Sequence, residues 1–201
     1  MFEWITRLVS DGGYLGVAGL MLLENLFPPI PSELIMPLAG FVAARGELQI
    51  ALVVLAGTLG SIAGTLPWYY AGRWLGRDRL RRLAARHGRW LTVSPEEFDR
   101  ASAWFDRHGG LAVLIGRLVP GVRTLISVPA GIAGMGLGRF LLLSAIGSLA
   151  WTAALTLAGY ALEDHYAVVA DYVDPASKAV LGAVVLLYLY RLVTFRSFPH
   201  R

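Results

Sequence analysis

The chain has 201 residues, 56% hydrophobic and 16% charged, with a net charge of +4 and no cysteine. An ordinary soluble domain is about 45–50% apolar and about 25% charged, so this balance, concentrated in long apolar blocks, is that of one integral membrane domain over residues 1–201. The lack of cysteine excludes disulfide and thiolate chemistry. His87, His108, His165 and His200 are scattered without metal-ligand spacing, so neither a metal nor a cofactor is expected. The positive charge is carried almost entirely by arginine, since Lys178 is the sole lysine. In a membrane chain that balance reads as cytoplasmic segments facing anionic lipid rather than as nucleic-acid binding.

Residues 1–13 begin with a short amphipathic stretch, with Phe2, Trp4, Ile5, Leu8 and Val9 beside Glu3, Thr6 and Arg7. It suits the membrane interface, and Asp11-Gly12-Gly13 breaks it. No basic n-region with a small-residue cleavage site precedes the apolar blocks, so targeting is expected from the hydrophobic segments themselves.

Residues 14–72 read as a hairpin followed by a span. Tyr14 to Phe27 reaches only about 21 Å as a helix, too short for a core of roughly 30 Å. Leu34 to Ala44 is shorter and holds Pro37. Between them Pro28, Pro29, Pro31 and Ser32 form the tip of a re-entrant turn, tolerated at depth only where protein or water shields it. Ile50 to Tyr70 is long enough to cross. Its Gly57, Gly60 and Gly64 suit close helix packing, internal or in a homodimer, and Trp68, Tyr69, Tyr70 and Trp74 suit an interfacial aromatic belt.

Residues 73–108 hold Arg73, Arg77, Arg79, Arg81, Arg82, Arg86, Arg89, Arg100 and Arg107. They read as a solvated basic loop containing a helix start at Ser94-Pro95-Glu96-Glu97. Residues 109–162 repeat the earlier plan. Leu111 to Val119 is too short to span, Gly116, Pro120 and Gly121 break it, Thr124 to Leu137 returns, and Phe140 to Leu162 crosses. An acidic loop with Glu163, Asp164, Asp171 and Asp174 leads to a last span within residues 175–195.

The fold class expected is therefore an all-α polytopic membrane protein with two opposed re-entrant helical hairpins and about three spanning helices. Arginine asymmetry puts the 73–108 segment and the C-terminus in the cytoplasm and the acidic loop outside. Hairpin plus span then occurs twice in opposite orientation. That inverted-topology repeat is a recurring plan for alternating-access transporters.

Four charged residues flank the two breaks. Glu24 and Glu33 are nine residues apart, on opposite faces of a straight helix, and the proline turn is what could bring both to one cavity. Glu33 also has a simpler reading, as an acid that caps a helix start. Arg117 and Arg123 converge only through the Pro120-Gly121 break. Two guanidiniums in a low-dielectric pocket need carboxylates, a phosphate, or both. They either bind an anionic headgroup or only neutralise the acids as buried pairs, a costly route to stability. A helix starting at Thr124 would add free N–H groups for an anion. The expected division of labour is phosphate binding by Arg117, Arg123 and Thr124 and proton coupling by Glu24 and Glu33, because burial and a neighbouring guanidinium act oppositely on a carboxylate's proton affinity.

Glu24-Asn25, Pro28-Pro29-Ile30-Pro31-Ser32-Glu33, Gly116-Arg117-Leu118-Val119-Pro120-Gly121-Val122-Arg123-Thr124 and Pro129-Ala130-Gly131-Ile132-Ala133-Gly134-Met135 together resemble the DedA family, also called SNARE-associated or VTT-domain proteins. Gly72-Arg73-Trp74-Leu75-Gly76 and Trp151…Gly159-Tyr160 are similar to its pattern too, so the likeness runs from about Tyr14 to Arg191. It implies two re-entrant hairpins and lipid transport, with Glu24 and Glu33 as functional acids and Arg117 and Arg123 as paired arginines. For bacterial members it implies proton-motive-force-dependent return of undecaprenyl phosphate across the inner membrane; eukaryotic relatives scramble phospholipids. Some members carry Asp after a longer turn where Glu33 stands here.

The function expected is proton-coupled translocation of undecaprenyl phosphate, with a head-group-tolerant phospholipid scramblase as the alternative. The expected partners are thus a polyprenyl phosphate or phospholipid, protons and the membrane. No catalytic residue is expected. A phosphatase would want a nucleophile and a general acid, and His108 stands near the second break without a second His or a Ser–His pairing.

Overall fold

The computed structural model describes residues 2–27, 32–91, 95–120, 122–161 and 190. Among these the only regular secondary structure is helix. In chain order α1 is Phe2–Leu26, α2 Ser32–Ala44, α3 Ile50–Leu91, α4 Pro95–Gly116, α5 Val122–Leu125, α6 Ser127–Ile132 and α7 Leu137–Ala161.

α1 is two helices joined at a kink, where Gly13 takes φ 52° and ψ −134°. This left-handed backbone favours glycine and falls where Asp11-Gly12-Gly13 is expected to break the chain. α2 begins at Ser32 and accommodates Pro37. The tip prolines Pro28, Pro29 and Pro31 lie outside the described residues, as do Gly121, the acidic loop and all of the last expected span except Tyr190.

Two helical segments, Ile50–Arg82 and Leu137–Ala161, are long and apolar enough to cross a membrane. Both present large apolar side chains outward, Leu52, Leu55 and Leu59 on α3 and Leu142, Ile146, Leu149 and Leu157 on α7. Buried between these helices are polar residues. This arrangement, apolar outside and polar inside, is what a lipid solvent selects, because hydrocarbon offers no penalty to Leu and no partner to a hydroxyl.

Three expectations need correction. The described residues of the basic 73–108 segment are helical. α3 continues through it to Leu91, with a local break where Gly76 takes φ 65°, and α4 starts at Pro95 and runs on to Gly116. Ion pairs from Arg77 to Asp106 and from Arg81 to Asp99 tie α3 to α4 on the exposed surface. This pairing of acids with arginines is invisible in the arginine count, and being exposed it adds little to the stability of the two helices. The returning arm after Pro120 is two short helices, α5 and α6, rather than one arm from Thr124 to Leu137. Of the expected aromatic belt, only Tyr70 and Trp74 are exposed. Tyr69 is fully buried, stacked on Phe140 at 4.6 Å between centroids, and its hydroxyl donates to Met135 O.

Packing divides into two apolar clusters. One joins α1 and α2 to the start of α3 through Val17, Leu20, Met21, Ile35, Met36, Ala39 and Val53. The other joins α4, α6 and the start of α7 around Tyr69, Val113, Ala130 and Phe140. Glycine lets the helices touch backbone to backbone. A Cβ on Gly40 of α2 would lie 2.1 Å from Thr156 O of α7, and one on Gly159 of α7 would lie 2.0 Å from Pro37 O of α2. The same reciprocal contact joins α6 to α3: a Cβ on Gly131 would lie 2.0 Å from Tyr69 O, and one on Gly72 2.3 Å from Val128 O. Gly57, Gly60 and Gly64 of α3 are likewise filled from within the chain, by Met36, Ala18 and Leu22. That glycine face is used internally, which removes the sequence argument for a homodimer through it.

Candidate functional site

The site forms where the end of α1, the break after α4, and α7 meet. Glu24, on the last turn of α1, is 5% exposed, and Arg123, on α5, is 4% exposed; the two form an ion pair. The other carboxylate oxygen of Glu24 accepts from Asn25 Nδ2 at 2.7 Å. The same amide donates to Met21 O at 2.9 Å and to Ser61 Oγ on α3 at 3.2 Å. Trp68 Nε1 donates to Asn25 O at 2.9 Å, so α3 fixes the end of α1 from two sides.

Arg117 is 1% exposed and is placed differently. Nη2 donates to Ser127 Oγ at 3.0 Å, while Nε and Nη1 have no partner. Among the described residues no carboxylate forms an ion pair with it. Its guanidinium carbon lies 5.7 Å from the centre of the Phe140 ring, a favourable but weak cation–π contact. A buried guanidinium without an ion-pair partner is costly.

The chain breaks expected from sequence thus bring Glu24, Arg117 and Arg123 together. Gly116 is buried against Ile126, where an added Cβ would come within 3.0 Å of Cγ1, so the chain turns sharply there. Pro120 is exposed. Thr124 is buried, but it is the third residue of a single helical turn that starts at Val122, whose first N–H groups, those of Val122 and Arg123, donate to Val119 O. Glu33 lies in the first turn of α2, half-buried, and pairs with no arginine among the described residues. That position fits its simpler reading as a helix-start acid. Ser32 is buried and accepts from Trp151 Nε1 of α7 at 3.3 Å, while the Trp151 ring faces the Arg123 guanidinium at 5.9 Å.

A seam of hydroxyls leads away from the charges between α3 and α7. Ser61 and Ser148 lie 3.3 Å apart, and Thr58 and Thr152 lie 2.9 Å apart. Thr156 donates to Thr152 O at 2.7 Å. Of these residues the sequence alone singles out only Ser148, as a packing residue of the span, although a wider signal is present: Ser144, Ser148, Thr152 and Thr156 recur every fourth residue in an apolar helix, which places them on one face. Among the described residues there is no group of His, Asp and Glu that could hold a metal ion. His108 is exposed on α4, stacked on Trp104, and takes no part in the site.

The VTT domain model matches residues 30–161. An "Alkaline phosphatase-like protein" of Lactococcus lactis subsp. cremoris is 41% identical, over 99% of this chain and 95% of its own length. "Undecaprenyl phosphate transporter A" of Staphylococcus aureus is 32% identical over 97% of this chain and 96% of its own length. The protein of that name from Bacillus subtilis is 28% identical over 98% and 94%. No solved structure matches. With the family model covering most of the chain and near-full-length relatives above 30% identity, the chain belongs to the VTT-domain, or DedA, family of membrane proteins.

Proposed function

We propose that this protein is a transporter that moves undecaprenyl phosphate across the bacterial inner membrane, coupled to protons. One observation carries the reading: Arg117 is a buried guanidinium with two unpartnered nitrogens, beside a second arginine that is already neutralised by Glu24. The names of the Staphylococcus and Bacillus relatives support undecaprenyl phosphate as the cargo.

On this reading Arg117 receives the phosphate and Arg123 links phosphate to proton. An incoming phosphate competes with Glu24 for Arg123. When the phosphate wins, Glu24 loses its counter-charge in a low-dielectric site and takes a proton. When the phosphate leaves, the Arg123–Glu24 pair re-forms and the proton is released. Thr124 flanks this exchange, and Glu33 is the second acid near it. α1 with α2, and the end of α4 with α5 and α6, are the two re-entrant hairpins. The reciprocal glycine contacts of α2 with α7 and of α6 with α3 support an inverted repeat. The arginine-rich tail of α3 and α4 faces the cytoplasm, as does the C-terminus.

The test is undecaprenyl phosphate translocation in proteoliposomes with and without a pH gradient. Native protein is expected to transport faster with the gradient, Arg117→Ala to lose transport, and Glu24→Gln to lose the gradient dependence. Equal movement of ordinary phospholipids, indifferent to the gradient and to Glu24→Gln, would overturn the reading in favour of a scramblase. Release of inorganic phosphate from the lipid would overturn it in favour of the phosphatase that the Lactococcus relative's name suggests.

A further inference from the structure

Ser144 of α7 is fully buried, and its hydroxyl has no hydrogen-bond partner. It stands out from the rest of its stripe, since Ser148, Thr152 and Thr156 are all bonded. An unsatisfied buried hydroxyl in a native helix calls for an explanation. Its position supplies one. A Cβ on Gly147 would lie 2.6 Å from Arg117 Cβ, and the Phe140 ring lies 5.7 Å from the Arg117 guanidinium carbon. The Arg117 side chain therefore runs along α7 from Gly147 to Phe140. Ser144 stands three residues before the one and four after the other, on the same helix face, so it lies beside that path. Two orphan nitrogens and an orphan hydroxyl, all buried, thus share one stretch of α7.

We propose that Ser144 and the unpartnered nitrogens of Arg117 form one anion subsite that takes the phosphoryl oxygens of a phosphate monoester headgroup. The guanidinium supplies charge and N–H donors, the serine a neutral O–H donor, and Ser127 holds the guanidinium in place through Nη2. The inference rests on Arg117 being the anion receptor. It adds a residue on α7, an element that carries none of the charged groups of the site, so phosphate would bridge the second break to this crossing helix.

The experiment is calorimetric titration of the detergent-purified full chain with farnesyl phosphate, and separately with inorganic phosphate. Native protein, Ser144→Ala, Ser144→Thr and Ser148→Ala are compared, each with its unliganded thermal midpoint. Ser144→Ala is expected to weaken farnesyl phosphate binding about tenfold or more, as for loss of a hydrogen bond to a charged group. Ser144→Thr retains the hydroxyl and most of the binding. Ser148→Ala stays within about twofold of native, since its hydroxyl already bonds Ser61. The unliganded midpoint of Ser144→Ala should equal or exceed that of the native protein, because no bond is lost.

Unchanged binding in Ser144→Ala with native protein still binding would overturn the subsite and leave Arg117 as receptor. Loss of binding together with a clear fall in midpoint would also overturn it, by making Ser144 a structural residue. Equal binding of inorganic phosphate, weakened by Ser144→Ala, would support the subsite but overturn the lipid headgroup as its ligand. No binding of either compound by native protein would overturn the receptor reading itself.

Discussion

The contact of α2 with α7 and that of α6 with α3 are built alike, while the charged groups at the two chain breaks are paired unequally. Each is a crossing in which two glycines, one per helix, let backbones meet where real Cβ atoms would collide. Yet the acid at the end of α1, Glu24, is satisfied at both oxygens, by Arg123 and Asn25. The arginine after α4, Arg117, is bonded through one nitrogen of three. The shared backbone device secures the framework, and the proposed phosphate receptor rests on the unequal electrostatics.

The largest expected effect breaks the charge comparison directly. Arg123→Ala leaves Glu24 buried and unpaired and should destabilise the protein by about 3–5 kcal/mol, whereas Arg117→Ala removes an uncompensated charge and should leave unfolding unchanged or raise it. Denaturant unfolding in micelles checks both. Adding Glu24→Gln to Arg123→Ala should recover most of the loss. If Arg117→Ala is as damaging as Arg123→Ala, the two arginines are equivalent and the asymmetry has no functional meaning.

The glycine crossings come next. Gly131→Ala and Gly40→Ala each push a methyl to about 2 Å from a carbonyl oxygen of the facing helix. Because the obstacle is backbone, each should cost roughly 1–3 kcal/mol. Comparable losses in thermal midpoint would sharpen the likeness of the two crossings, and a large loss in only one would break it. Gly147→Ala meets Arg117 Cβ at 2.6 Å, a clash with the shaft of the proposed phosphate receptor. It should reduce transport several-fold more than it reduces stability, read by pairing flux with unfolding.

The hydroxyl seam is expected to matter less. Thr152→Val loses the contact with Thr58 and should cost about 1 kcal/mol by thermal unfolding. Smallest of all is the surface pair Arg81–Asp99, both side chains about half exposed or more. Arg81→Ala should change stability by less than about 1 kcal/mol. A greater loss would mean that the α3–α4 tail helps hold the second crossing in place.

How much was legible beforehand varies by feature, for physical reasons. Pro28–Pro31 and Pro120-Gly121 announced breaks because proline and glycine act on their own backbone. Gly13 broke α1 for the same local reason. The charged residues near the breaks were legible because ionisable groups in apolar sequence are costly wherever they land. The extent of α3 was not, since the acids that face its arginine-rich tail, Asp99 and Asp106, come from another helix. Nor was the burial of Tyr69, which a local reading assigns to the interface and which Phe140 and Met135 hold inside.

By itself the sequence determined a helical membrane chain, two places where helices must break, and an acid and two arginines close to those breaks. These follow from residue chemistry in a lipid solvent and need no partner to be true. Only the tertiary structure decided which arginine Glu24 neutralises, which one stays open, and that Ser144 and Trp151 of α7 lie along the same site. Those outcomes depend on how helices distant in sequence cross, and glycine contacts from several segments set the crossings together.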